Sequence, residues 1–247
     1  MLIKRIILKD GQNCNYMIIS GYSATPRSGS TLLNALLNQR SDVYMPFVSP
    51  FIELLWRNYK FWDEPDYNKL HTLEYKNIKK KYCLGVIDTF FKELTDRKYI
   101  IDKHWMWIIP ENRNMYEDLY NKKIPIIYIH RNYNDIVKSY KRVLKQGLKG
   151  ELAHIDNLDY SINLLNKVYL NQQHYIENNP DNIVFIEFDD WCNKTKEMLK
   201  YIEIELGLEP YSYDLKNPSI DTKYLDKLMG NDKLHVLRDA TVYKKRY

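Results

Sequence analysis

Six consecutive residues, Pro26-Arg27-Ser28-Gly29-Ser30-Thr31, put a fixed cation, a glycine and three hydroxyls into one turn. An apolar run, YMIIS at residues 16–20, precedes them, and residues 31–38 follow with helical spacing. A loop that ends a strand and opens a helix offers unpaired backbone N–H groups and the positive end of the helix dipole. Together these cradle phosphate-like anions. Gly29 allows close backbone approach, Arg27 adds permanent charge, and the hydroxyls of Ser28, Ser30 and Thr31 add donors. The turn is not the common phosphate loop GxxxxGK[ST]. Ser30 stands where the lysine belongs, Ala24 where the first glycine belongs, and the basic residue sits two places before Gly29.

Three further patterns carry chemistry. IPIIYIHRNYNDIVKSYKR, residues 124–142, ends an apolar run at His130-Arg131 and continues as a helix bearing Ser139. A guanidinium grips a phosphate through two parallel hydrogen bonds, and a hydroxyl adds a neutral donor. YIIDKHW, residues 99–105, ends a strand at Lys103, a cation suited to charge building on a leaving group. SPFIELLW, residues 49–56, places Glu53 in an apolar stretch where burial would raise its pKa toward that of a general base. His104 is the rival base, because a neutral imidazole needs no shift near pH 7. Trp105 and Trp107 neighbour Lys103 as candidate pocket walls.

The elements that must position these groups alternate. Residues 16–20, 99–101, 124–129 and 183–188 are near-continuous β-branched or aromatic runs, as in strands buried on both faces. Helical patterns occupy 31–38, 84–94, 115–120, 132–145, 160–178 and 195–206, with Gly207 as a C-cap. Such alternation predicts an α/β fold with a parallel sheet. Residues 63–81 read as a polar surface helix or loop, and 217–247 as a tail or a flap over the site. With no internal repeat and no Pro- or Gly-rich linker, 1–247 reads as one domain.

Composition narrows the function. A 45% hydrophobic and 14% aromatic chain of 247 residues folds around a core. The net charge of +5 favours anionic ligands but is no nucleic-acid surface. The three cysteines, Cys14, Cys83 and Cys192, form no CxxC pair, and no residues have metal-ligand spacing. No stretch reaches the roughly 18 apolar residues of a membrane span. The expectation is a cytoplasmic protein without metal, nucleic-acid or membrane partner.

With these residues in view, YMIISGYSATPRSGSTLLNALLNQ resembles the 5'-phosphosulfate loop of sulfotransferases that use 3'-phosphoadenosine 5'-phosphosulfate (PAPS). Its PRSG form is more similar to tyrosylprotein, bacterial and phage members than to the cytosolic steroid and phenol enzymes, which carry Lys there. HRNYNDIVKS resembles the family's 3'-phosphate segment, with Arg131 and Ser139 at the binding positions. IDKH resembles its (D/E/N)K segment, whose lysine meets the bridging or sulfuryl oxygens. LHVLR, residues 234–238, resembles an HxxR segment of bacterial relatives, and Lys244-Lys245-Arg246 is a further basic cluster.

The resemblance implies a sulfotransferase-type P-loop sandwich, a short parallel sheet flanked by helices. It implies in-line transfer from PAPS, releasing 3'-phosphoadenosine 5'-phosphate (PAP), to a hydroxyl or amine of a small molecule, glycan or peptide. Arg27, Ser28, Gly29, Ser30, Thr31, Arg131 and Ser139 would bind the nucleotide; Glu53, Lys103, Arg27 and His104 would serve catalysis. The alternatives are a P-loop small-molecule or nucleotide kinase, and a non-enzymatic module binding PAP or a sulfated ligand. The missing GK[ST] lysine speaks against the kinase.

Overall fold

The computed structural model describes residues 17–47, 49–63, 73–145 and 158–219. In chain order the elements are β1 (Met17–Tyr22), α1 (Ser30–Leu37), β2 (Val43–Tyr44), α2 (Phe51–Phe61), α3 (Leu73–Lys92) and β3 (Tyr99–Lys103). A 3-10 turn (Trp105–Ile108), α4 (Pro110–Tyr120), β4 (Ile126–His130) and α5 (Tyr133–Lys145) follow. The last described elements are α6 (Leu158–Asn178), β5 (Ile183–Glu187), α7 (Phe188–Asn193) and α8 (Thr195–Leu206).

The strands form one sheet in the order β2-β3-β1-β4-β5, and each pair is parallel. The expected α/β class is therefore the observed one. Successive strand residues point to opposite faces, and the core divides accordingly. Ile18, Ile100 and Ile126 pack with Phe51, Leu55, Ile87 and Leu119 from α2, α3 and α4. Their chain neighbours Ile19, Ile101 and Ile127 pack on the other face with Leu33 and Leu36 of α1 and Leu199 and Ile202 of α8. Burial on both faces explains why these strands read as unbroken apolar runs.

From β1 the chain moves toward β2 and β3, whereas from β4 it moves the other way to β5. The sheet's switch point thus lies between β1 and β4, the place where parallel α/β sheets hold their ligand crevice, beyond the strands' carboxyl ends. The 23–29 loop and Arg131 leave the sheet there.

Several elements differ from expectation. β1 runs to Tyr22, two residues beyond the predicted strand, because Gly21 and Tyr22 pair with Asp102 and Lys103 of β3. β3 likewise extends to Lys103. Residues 63–81, expected as a polar helix or loop, contribute from Leu73 onward to the 20-residue α3, which buries Cys83, Ile87 and Phe91. Phe188 opens α7 and does not end β5. Gly207 caps α8 with φ 65°, as anticipated. The basic segments 233–238 and 244–246 lie outside the described residues. Among the described residues no helix is long and apolar enough to cross a membrane.

Candidate active site

The turn after β1 forms a strained, tied cradle. Arg27 has φ 67° and Gly29 φ 85°, two left-handed residues separated by one. Gly29 supplies this conformation without steric cost; Arg27 does not, and such a residue persists only where its surroundings hold it. Gly29 also has no room for a Cβ, which would meet the Trp191 indole nitrogen of α7 at 2.9 Å. As N-cap of α1 it offers no side chain, so the first amides of α1 receive no side-chain cap. Ser28 is turned inward. Its hydroxyl donates to the Thr25 carbonyl at 2.7 Å and lies 3.4 Å from the Tyr22 hydroxyl. Ser28 therefore shapes the loop from inside, with its side chain fully buried.

What holds Arg27 comes from β4 and α5. Arg131 Nη1 donates to the Arg27 carbonyl at 2.5 Å, and Arg27 Nε donates to Ser139 Oγ at 3.2 Å. The two predicted binding segments, 104 and 112 residues apart in sequence, are thereby one structure. Arg131 also lies over the Phe188 ring, 4.2 Å from its centroid. Burial, and then the neighbouring Arg131 and Arg142 guanidiniums, push the Arg27 pKa down. The two neighbouring cations repel Arg27, a repulsion that a bound anion would relieve.

Across the crevice β3 ends at Lys103. Burial drives its ammonium down to about 8. Its Nζ sits over the Phe47 ring at 4.6 Å, and among the described residues no carboxylate forms an ion pair with it. Asp102, one residue earlier, points into the core. Burial raises its carboxyl to about 6, opposed by hydrogen bonds from Ser49 and from the Trp107 indole, the latter 2.7 Å long.

The two rival bases lie near each other. His104 caps the 3-10 turn, its Nδ1 accepting from the Met106 amide at 3.3 Å. A neutral His104 bonded in this way carries its proton on Nε2 and is a donor there. Burial lowers the His104 pKa, and the Glu53 charge acts in the opposite direction. Glu53 is not buried as the apolar sequence around it suggested. Phe51, Ile52 and Leu55 take the inner face of α2, leaving the Glu53 side chain 44% exposed and bound to Arg57 Nη2 at 2.5 Å. Trp107 is also corrected. It is fully buried against Gly21, where a Cβ would come within 2.4 Å of its ring, so it is core and no pocket wall. Trp105 stays half-buried beside His104.

Sequence reading missed a support beneath the cradle. Gln172, fully buried on α6, accepts from Thr25 Oγ1 at 2.6 Å and donates to Ser23 Oγ at 2.9 Å. Ser23 Oγ in turn donates to the Trp105 carbonyl at 2.9 Å. Nothing local marks Gln172, whose partners on the loop are 147 and 149 residues away. Two other missed partners had local signals. Arg57 stands one helical turn from Glu53, and Arg142 nearly one turn from Ser139.

No protein-family model and no curated protein matches the sequence. Among the solved structures that share the fold are three sulfotransferases or sulfotransferase domains. The sulfotransferase domain of the Synechococcus PCC 7002 olefin synthase is 16% identical with a TM-score of 0.51, over 90% of this chain and 86% of that one. The sulfotransferase domain from the curacin biosynthetic pathway is 18% identical with a TM-score of 0.52, over 90% and 84%. A sulfotransferase from Alicyclobacillus acidocaldarius is 13% identical with a TM-score of 0.51, over 87% and 97%. The architecture of this chain is that of sulfotransferase domains, a five-stranded parallel sheet flanked by helices.

Proposed function

We propose that this chain is a PAPS-dependent sulfotransferase acting on a hydroxyl or amine of a small-molecule, glycan or peptide acceptor. One observation carries the reading: at the sheet's switch point Arg27, Arg131 and Ser139 interlock into a single cationic cluster, with the half-buried Lys103 at the end of the neighbouring β3. The donor set suits a nucleotide with phosphates at two positions. Amides at the start of α1 and the Arg27 side chain would hold the 5' end, and Arg131 with Ser139 the 3'-phosphate. PAPS supplies a sulfuryl group already activated for transfer.

The residues divide the remaining work. Glu53 takes the acceptor proton through its carboxyl group, which lies close enough to His104 for its charge to act on that ring. His104 donates through Nε2 and orients the acceptor or Glu53, since its Nδ1 is committed to Met106. The acceptor oxygen or nitrogen bonds to sulfur while the sulfur–oxygen bond to the 5'-phosphate breaks. Lys103 meets the charge that collects on that departing oxygen, a stabilisation that a water-poor site strengthens. PAP departs with the electron pair, and the proton stays on Glu53 until solvent removes it.

Calorimetric titration with PAP, ATP and GTP tests the reading. PAP is expected to bind most tightly, without added metal. Tight ATP or GTP binding that needs Mg²⁺, with weak PAP binding, would replace it by the kinase reading.

A further inference from the structure

Between the cradle and the turn that carries His104 runs a directed chain of buried hydrogen bonds. Thr25 Oγ1 donates to Gln172 Oε1, Gln172 Nε2 donates to Ser23 Oγ, and Ser23 Oγ donates to the Trp105 carbonyl, at 2.6, 2.9 and 2.9 Å. Each hydroxyl proton in this chain has one destination. Thr25 must donate because the Gln172 carbonyl can only accept, and Ser23 accepts from Gln172 while donating to Trp105. Thr25 in turn receives, through its carbonyl, the amide and the hydroxyl of Ser28, the residue between the two left-handed positions of the cradle. At the far end, Trp105 follows Lys103-His104 directly, and the His104 amide donates to the Tyr22 carbonyl at 3.1 Å. Gln173, the next residue of α6, donates to the Tyr128 hydroxyl at 2.7 Å, so the helix is fixed to β4 as well.

We infer that Gln172 is a positioning residue for sulfuryl transfer: it sets the separation between the cradle that holds the phosphosulfate and the Lys103-His104 end that meets the leaving oxygen and the acceptor. The inference rests on the sulfotransferase reading. Its physical basis is that a fully buried amide with both its carbonyl and its NH₂ engaged cannot rotate or retreat without leaving a polar group unpaired. The two halves it joins leave the ends of neighbouring strands, β1 and β3. Those strands fix the halves only up to their last residues, and the Gln172 chain begins just beyond. Reaction geometry is sensitive at this scale, since a misplacement of about 1 Å costs on the order of a hundredfold in rate.

The test is a pair of substitutions read by turnover and by PAP affinity together. Gln172→Leu removes both hydrogen bonds at similar volume, and turnover is expected to fall about tenfold to a hundredfold. PAP affinity, which depends on the cradle with Arg131 and Ser139 and not on the Lys103-His104 end, should fall by no more than about a third of that factor on a logarithmic scale. Gln172→Glu adds a readout that loss of packing would not produce. Protonated, the new carboxyl accepts from Thr25 and donates to Ser23 as the amide does; ionised, it loses the donor. Its turnover should therefore approach wild type at low pH and fall as pH rises, relative to the wild-type profile. The variant's melting temperature, recorded at each pH, shows that folded protein is being compared. If both variants transfer as fast as wild type, or if turnover and PAP affinity fall in equal proportion, the inference is overturned. A Gln172→Glu profile parallel to wild type overturns it equally, and this measurement remains available if Gln172→Leu fails to fold. If wild type neither binds PAP nor transfers a sulfuryl group, the functional reading falls first, a result distinct from wild-type transfer that ignores Gln172.

Discussion

At the proposed nucleotide end of the cleft, Arg27, Arg131 and Ser139 hold one another through hydrogen bonds that span more than a hundred residues of chain, and Gln172 ties this end to the turn that follows Lys103. At the proposed acceptor end, Glu53 is 44% exposed and bound to Arg57, itself 75% exposed, while His104 accepts from the Met106 amide of its own turn. One end is a rigid receptor assembled from strand ends. The other is a pair of half-buried polar side chains, Glu53 on a helix face and His104 on a turn. An anion with fixed geometry can be met by a fixed site, whereas an acceptor must enter and leave. Substitutions at the first end should therefore move nucleotide affinity, and those at the second should move turnover.

The largest effect expected is at the second end. Glu53→Gln should lower turnover by about 10²–10⁴, the range of general-base catalysis, while PAP affinity shifts less than about threefold. His104→Ala should cost less, because its Nε2 donates and does not take the proton. Steady-state kinetics beside calorimetry checks both. A Glu53→Gln enzyme with near-normal turnover would move the base to another residue and remove the contrast between the ends.

Lys103→Met should come next, lowering turnover by about 10²–10³, as loss of one stabilising donor typically does. Lys103 also carries a pH signature with a defined sign. Burial lowers its pKa to about 8, so the charge present below that value is lost as pH rises through it. Turnover should accordingly decline above pH 8, and Lys103→Arg should move that decline to higher pH. Stability should go the opposite way. Between about 8 and the ordinary lysine value the unfolded chain binds the proton that the folded one has shed, so this residue adds stability as pH increases across that window. Opposed trends in turnover and melting temperature from pH 8 upward would sharpen the comparison; parallel trends would break it.

Effects at the nucleotide end are smaller and fall on binding. Arg131→Ala removes charged hydrogen bonds worth roughly 1.5–3 kcal/mol and Ser139→Ala a neutral one worth about 1 kcal/mol. PAP affinity should drop by about 10–100-fold and about fivefold respectively. Both residues also touch Arg27, so each variant should weaken adenosine 5'-phosphosulfate too, though less than PAPS. Discrimination between those two ligands, measured by competition, should be lost most in Arg131→Ala. The smallest effect expected is that of EDTA, which should leave transfer unchanged, because Arg27, Arg131 and Lys103 supply the countercharge.

The same division explains what could be read from the residues alone. Strand-to-helix junctions are local in sequence, so the positions of PRSGST, of Arg131 with Ser139, and of Lys103 at strand ends are legible in the residues alone, and the parallel sheet follows from buried apolar runs. The acceptor end depends on which face of α2 turns inward. Phe51, Ile52 and Leu55 settle that, leaving Glu53 outward although its neighbours are apolar. Trp107 was misread for a related reason. Its place against Gly21 is decided by strand pairing, which pattern does not reveal. Gln172 illustrates the limit, since a single amide on a polar helix carries no signal until the fold brings Thr25 and Ser23 to it.

Labelled PAPS, incubated with the purified chain and a panel of alcohols, phenols, amines, glycans and peptides, tests sulfuryl transfer itself. Release of PAP matched by one sulfuryl group on an acceptor is expected, at a rate that Glu53→Gln nearly abolishes. Tight PAP binding with PAPS left intact across the whole panel would contradict it and identify a nucleotide-binding module instead.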